Sequence, residues 1–110
     1  MKDNVRFIAN LLENKHAKNI EVYEVGAEHP LFDTVVVASV DVKRNLDTIV
    51  NEVKKAEKEN EIEVKAYDTA SKEWVIIDCY DMLIHIFVKE SREFYDVDSI
   101  LERYVKDTEL

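Results

Sequence analysis

The stretch EWVIIDCYDMLIHIFVKESREFYD, residues 73 to 96, contains two near-continuous apolar runs, WVIID and MLIHIFVK, separated by Cys79, Tyr80 and Asp81. Two strand-like runs joined by so short a polar interruption form a β-hairpin pattern. In the second run Met82, Ile84, Ile86 and Val88 point to one face and Leu83, His85 and Phe87 to the other, because strand side chains alternate with period two. His85 is therefore flanked by large apolar groups on its own face. The placement of a Trp, two Asp and a His in the most hydrophobic part of the chain is what a functional reading has to explain.

Upstream of the hairpin, EIEVKAY at 61 to 67 alternates Ile62, Val64 and Ala66 with Glu61, Glu63 and Lys65, which predicts an edge or half-exposed strand. Before it, Val42, Leu46, Ile49, Val50, Val53 and Ala56 recur at steps of three and four, predicting a helix from about 42 to 59 with Asp41 as N-cap. The run TVVVAS at 34 to 39 is continuous and β-branched, as in a central strand buried on both faces with helices on both sides. IEVYEV at 20 to 25 predicts a first strand, ended by Gly26, the only glycine in the chain. Residues 4 to about 15 predict an amphipathic helix, capped by Asp3 or Asn4. Downstream, DVDSILERYVKD at 96 to 107 predicts a closing helix. The order α-β-β-α-β-β-β-α is that of an α/β fold: one domain over residues 1–110, with a mixed sheet of about five strands flanked by helices.

A chain of 110 residues fits one domain with one principal core. Its single Cys79 forms no internal disulfide, which favours a cytoplasmic setting. No apolar run approaches the ~18 residues that span a bilayer, and the start MKDNVRFIANLLENK lacks the uninterrupted core of a signal peptide. The sequence as it stands, with no basic, Ser-rich leader, points to bacterial cytosol. The formal charge of −9 disfavours direct nucleic-acid binding, which needs clustered Lys and Arg. Residues 1 to 55 carry 8 basic and 9 acidic side chains, a net of −1, and residues 56 to 110 carry 7 and 15, a net of −8. The acidic half thus contains the hairpin, and an acidic surface steers basic partners.

Each candidate residue has a structural and a functional reading. His85 is either a core-edge histidine satisfied by one hydrogen bond or a partner-contacting residue on an incompletely covered sheet face. Asp78 and Asp81 are turn residues accepting backbone N–H bonds, or two members of a metal set with Cys79 and His85. Zinc requires four convergent ligands, or three and a water, and the chain offers neither a Cys-x-x-Cys pair nor a second His at helical spacing, so no metal is expected. Cys79 lacks an identifiable base and oxyanion donor and reads as a structural thiol. Trp74, at a strand start beside a turn, is a core residue or an interface anchor. Asp96 and Asp98 invite a metal-dependent nucleotidyl or phosphoryl transferase reading, but they open a helix, where capping explains them better. No Gly-rich phosphate loop exists, and no cofactor is expected. A third class is a homodimer that pairs through an exposed sheet face including His85 and Phe87.

Glu73-Trp74-Val75-Ile76-Ile77-Asp78, then Asp81, Ile84-His85-Ile86-Phe87, Arg92 and Phe94-Tyr95-Asp96, in this order and spacing, closely resemble the signature of the Iojap or ribosomal silencing factor family. The resemblance implies a mixed-sheet α/β domain, distantly similar to nucleotidyltransferases but non-catalytic. It also implies a translational repressor that binds the large ribosomal subunit through the subunit protein numbered fourteen and blocks subunit joining. The implied partner-binding residues are Trp74, Asp78, Cys79, Tyr80, Asp81 and His85, with Arg92 and Tyr95 fixing the following segment. The sequence departs from the family pattern at four places. Tyr80 stands where the family has Gly, so the turn is expected to avoid a positive φ or adopt another geometry. Cys79 replaces an apolar contact residue, often Leu. Ser39-Val40-Asp41-Val42 and Ile100-Leu101 replace a Gly-, Asn- and Ser-rich word and a closing Leu-Trp.

Overall fold

In the computed structural model, which describes residues 2–106, the hairpin runs lie at the middle of one sheet. The elements are α1 (Asp3–Asn14), β1 (Lys18–Glu24), β2 (Thr34–Val40), α2 (Lys43–Lys58), β3 (Ala66–Asp68), β4 (Trp74–Asp78), β5 (Met82–Val88), α3 (Lys89–Tyr95), α4 (Val97–Leu101) and β6 (Val105–Lys106). The strand order is β3-β4-β5-β2-β1-β6. β2 and β5 run parallel, from Thr34 opposite Met82 to Val40 opposite Val88, and the other pairings are antiparallel. The sheet is therefore mixed, and its parallel pair forms the centre. All seven residues of β2 are buried, as its unbroken β-branched run requires.

Two cores flank the sheet. Val5, Ile8 and Leu12 of α1 and Leu46, Ile49 and Val53 of α2 pack on one face against Val36, Ala38, Val75, Ile77, Ile84 and Ile86. The opposite face carries a smaller core of Tyr23, Val25, Val35, Val37, Phe87 and Leu101. Helices cover both faces, as a doubly buried strand demands, but both long helices lie on the first. Among the described residues, only the short α4 contributes helical side chains to the second core, Leu101 and the partly buried Val97.

Two predicted elements depart from expectation. The predicted strand over 61–67 pairs only at Ala66–Asp68. The residues before it end α2 instead: Asn60 takes φ 60°, its N–H donates to Glu57 O, and the Glu61 N–H donates to Ala56 O. That pair of bonds is a Schellman cap, and the alternation beyond it inserts Ile62 into the core rather than pairing a strand. The predicted helix over 96–107, whose last residue Asp107 lies outside the described residues, breaks into α4 and β6. Its start is set by α3, which follows β5 without a break, and by Asp96, which turns the chain at φ 50° between α3 and α4.

The predicted caps are displaced as well. Val42, not Asp41, occupies the N-cap of α2, and the Asp41 carboxylate accepts from Lys18 Nζ at 2.8 Å. Lys2 occupies the N-cap of α1, and Asn4 donates to the Asp81 carboxylate instead. Asp96 holds the N-cap position of α4, but its carboxylate accepts from the Ser99 hydroxyl at 2.6 Å rather than from a backbone N–H.

Candidate functional site

Strand register decides which hairpin residues share the thinly covered face. Trp74 lies opposite Phe87, Ile76 opposite His85, and Asp78 opposite Leu83. Val75 and Ile77, one step out of phase, point into the first core. The second face therefore presents Trp74, Ile76, Asp78, Leu83 and His85 together, all half-buried, above the fully buried Phe87. α3 brings Tyr95 beside them at 45% exposure, and Phe94, next to it, is 81% exposed. An apolar and aromatic group of this kind, left half open, fits a partner-binding surface better than a closed core.

Packing and one hydrogen bond fix the Trp74 ring. It stacks on Phe87 with centroids 4.7 Å apart, lies tilted against Tyr95 at 4.9 Å, and donates its indole Nε1–H to His85 Nδ1 at 3.0 Å. Burial lowers the His85 pKa from its ordinary 6.5 to about 4, with Asp98 opposing weakly, so the imidazole is neutral near pH 7. Each residue thus has a satisfied internal contact, and each remains only partly buried.

The turn joining β4 and β5 keeps a positive φ without glycine. Tyr80 adopts φ 69°, and the Asp81 N–H donates to Cys79 O at 3.0 Å across it, the bond of a positive-φ γ-turn. Of the two alternatives expected for Tyr80, avoidance of a positive φ is therefore corrected, and the turn rests on the γ-turn geometry. Two further bonds hold the conformation: the Tyr80 N–H donates to Asp78 Oδ1 at 3.0 Å, and the Cys79 N–H donates to Met82 O at 2.8 Å. Asp78 is the turn-stabilising acid that the sequence reading weighed, and the Tyr80 ring stands 54% exposed at the tip.

The other expected site residues are dispersed. The Cys79 thiol is buried in the first core, and burial pushes its pKa up to about 12, so it is neither a thiolate nor a surface contact. Asp81 faces the start of α1, accepting from Lys2 Nζ and Asn4 Nδ2 at 3.1 Å each, while its backbone oxygen accepts from Asp33 and Thr34. Arg92, 12% exposed, lies beneath α3 and grips Asp98 through Nε at 2.9 Å and Nη2 at 3.1 Å. It also donates to Asn19 O and to Ser39 Oγ. The Tyr23 hydroxyl donates to Asp98 at 2.8 Å. Burial alone would raise the Asp98 pKa, but these donors together hold it below its ordinary value.

A cleft of about 680 Å³ beside this cluster is lined by Asn19, Ser39, Lys89, Glu93, Arg92 and Asp98. Both Asp98 oxygens already have donors, and Asp96 is bonded to Ser99, so the two acids are not arranged as a pair of free metal ligands. Among the described residues, no group of three or more His, Cys, Asp or Glu side chains could hold a metal ion. No helix among them is long and apolar enough to cross a membrane.

The sequence reading placed Trp74, His85 and Tyr95 in the site, and the structure brings these three together, with Asp78 on the same face. It missed Ile76, Leu83 and Phe94. Pairing the two hairpin runs residue by residue across the Tyr80-Asp81 turn would have placed Ile76 and Leu83 beside His85 and Asp78. Finding Phe94 required knowing that α3 begins directly after β5.

Comparison with known proteins gives a consistent result. The chain is 24% identical over 99 residues to a ribosomal silencing factor, RsfS, of Halalkalibacterium halodurans, covering 87% of this chain and 83% of that one. It is 27% identical over 90 residues to the factor of the same name from Chromobacterium violaceum, covering 81% and 74%. A mouse protein named mitochondrial assembly of ribosomal large subunit protein 1 is 26% identical over 103 residues, covering 90% of this chain and 45% of its own length. A crystal structure of a Chromobacterium violaceum protein superimposes with a TM-score of 0.84 at 24% identity, covering 93% of this chain and 88% of that one. One from Bacillus halodurans gives 0.75 at 23% identity, covering 87% and 90%. The family model described as "Ribosomal silencing factor during starvation" matches residues 1–109, and the chain belongs to that family.

Proposed function

We propose that this member of the family docks on the large ribosomal subunit, through the subunit protein numbered fourteen, and thereby keeps the small subunit from joining. It acts by occupying a surface, not by catalysing a reaction, and it works in the cytoplasm without a cofactor. The observation that carries the reading is the half-open face around Trp74. A sheet with two long helices packed on one side leaves aromatic side chains partly exposed on the other. The acidic balance of −9 supports a basic partner, as ribosomal proteins are, and speaks against direct contact with RNA phosphates.

In this reading the site residues have graded parts. Trp74, His85 and Tyr95 touch the partner; Asp78 and Tyr80 lie at the margin. Asp81 and Arg92 hold the turn and α3 in place, and Cys79 supports the turn from the core. The test is co-sedimentation of the purified protein with isolated large and small subunits, followed by a subunit-joining assay in a sucrose gradient. Selective pelleting with large subunits and fewer joined ribosomes are expected. Pelleting with neither subunit, at low as well as moderate salt, overturns the docking reading. Self-association through the same face would appear as concentration-dependent sedimentation of the protein alone.

A further inference from the structure

The Trp74–His85 hydrogen bond fixes more than the Trp ring. An indole N–H can only donate, so His85 Nδ1 is the acceptor and carries no proton. A neutral imidazole with an unprotonated Nδ1 holds its proton on Nε2. The depressed pKa of His85 is consistent with that neutral ring.

Nε2 has no hydrogen-bond partner among the described residues, and none of their buried side-chain nitrogens or oxygens lacks one. Nε2 is therefore not a sealed polar atom, in keeping with the partial exposure of His85. Its strand neighbours are apolar: Ile76 lies opposite on β4, Val37 opposite on β2, and Leu83 precedes it on the same side of β5, while the Asp98 carboxylate, whose charge acts on the ring, is held by Arg92 and Tyr23. Trp74 contributes its ring, 5.7 Å from the imidazole, but its only N–H is already bonded to His85.

Resting on the docking reading above, we infer that His85 presents a single fixed Nε2–H donor in the apolar middle of the docking face, and that the partner supplies a hydrogen-bond acceptor there. The matching chemistry is a main-chain carbonyl or a side-chain amide or carboxylate oxygen of a protein segment. A Lys or Arg head placed there would set donor against donor. A wholly apolar contact would strand the Nε2–H without a partner, which costs a buried donor its hydration. Positive charge on the partner is directed instead to the margin, where Asp78 lies opposite Leu83 and Asp68 opposite Ile76. The Trp74 indole N–H sets the His85 tautomer, and His85 in turn holds the ring.

Two measurements at neutral pH test this. Long-range proton–nitrogen NMR of the uniformly labelled protein reads the imidazole tautomer directly, together with the indole Nε1–H shift. The expected result is the Nε2–H tautomer with a displaced indole signal; an Nδ1–H tautomer overturns the inference regardless of any binding result. The second measurement is co-sedimentation with large subunits of the wild type, His85→Gln and His85→Phe, each checked for folding. The Gln amide nitrogen reaches the place of Nε2, so His85→Gln should bind within about threefold of the wild type. His85→Phe keeps the packing and loses the donor, and should bind at least about tenfold more weakly.

Equal binding by His85→Phe and wild type overturns the inference and leaves the docking reading standing. If the wild type does not pellet, both fail. If His85→Phe does not fold, loss of binding by folded His85→Gln to the level of a folded His85→Leu overturns the inference.

Discussion

β5 contributes to both faces of the sheet, and the two faces are built by different means. On the first, Met82, Ile84 and Ile86 are sealed under α1 and α2 with aliphatic neighbours and almost no exposed surface. On the second, Phe87 is sealed, but Leu83 and His85 remain half-open beside Trp74 and Tyr95, and the ring positions are fixed by stacking and by one N–H···N bond. Aliphatic packing is non-directional and gains most when complete. Stacked rings with a polar handle keep a defined geometry while partly wet, as a binding surface requires. The first face therefore supplies most of the stability, and the second keeps its rings in a defined geometry while partly open, which is what the proposed docking uses.

The sharpest way to break this contrast is to truncate the sealed face. Ile84→Ala should lower the unfolding free energy by about 3 kcal/mol, read by urea denaturation, because the surrounding side chains cannot collapse into the space left. A loss below about 1 kcal/mol would mean that the first face is not the stability-bearing one. Trp74→Ala should act the other way, weakening large-subunit binding by about 2 kcal/mol, as an interface anchor does, in a protein that still unfolds cooperatively. If that variant fails to fold, Trp74 belongs with the core and the contrast disappears.

Arg92→Ala probes what holds α3, and with it Tyr95, over the second face. Removing a little-exposed guanidinium that grips Asp98 should cost about 1.5 kcal/mol near pH 7. The Asp98 pKa is depressed in the folded state, so its contribution is present above the unfolded carboxyl pKa and lost as pH falls through the folded one. The stability gap between wild type and variant should therefore narrow below about pH 4. A gap that does not change with pH would assign Arg92 a packing role only. The smallest effect is expected at the turn: Tyr80→Gly relieves a positive φ and should raise stability by about 1 kcal/mol in the same denaturation assay. A loss of stability would show that Tyr80 ring contacts outweigh the strain.

The parts of the fold that were readable and those that were not differ in the range of their causes. The helix of residues 43–58, the central strand of residues 34–40 and the hairpin strands were legible because each carries its own periodicity or β-branched run. The segment 61–67 was misread because an alternating pattern also serves a connection that drops Ile62 into the core, and Asn60 at φ 60° gives no stronger signal than many loop asparagines. The start of α3 was missed because no Gly or Pro separates it from β5. At the site, the family resemblance named Trp74, His85, Tyr95, Cys79 and Asp81 together; strand register gathers the first three on one face, whereas Cys79 enters the first core and Asp81 faces the start of α1.

By itself, then, the sequence determined the α/β class, the identity of the central strands, the acidic character of the C-terminal half and the family, since these follow from local periodicity, composition and ordered motif residues. Only the tertiary structure decided which face stays open, that Asp98 serves Arg92 and Tyr23, that Tyr80 carries a positive φ, and which nitrogen of His85 accepts the Trp74 proton. Each of those depends on strand register and on helix placement across the sheet, which bring together residues as far apart in the chain as Tyr23 and Asp98 and are set by packing between elements rather than by the pattern within any one of them.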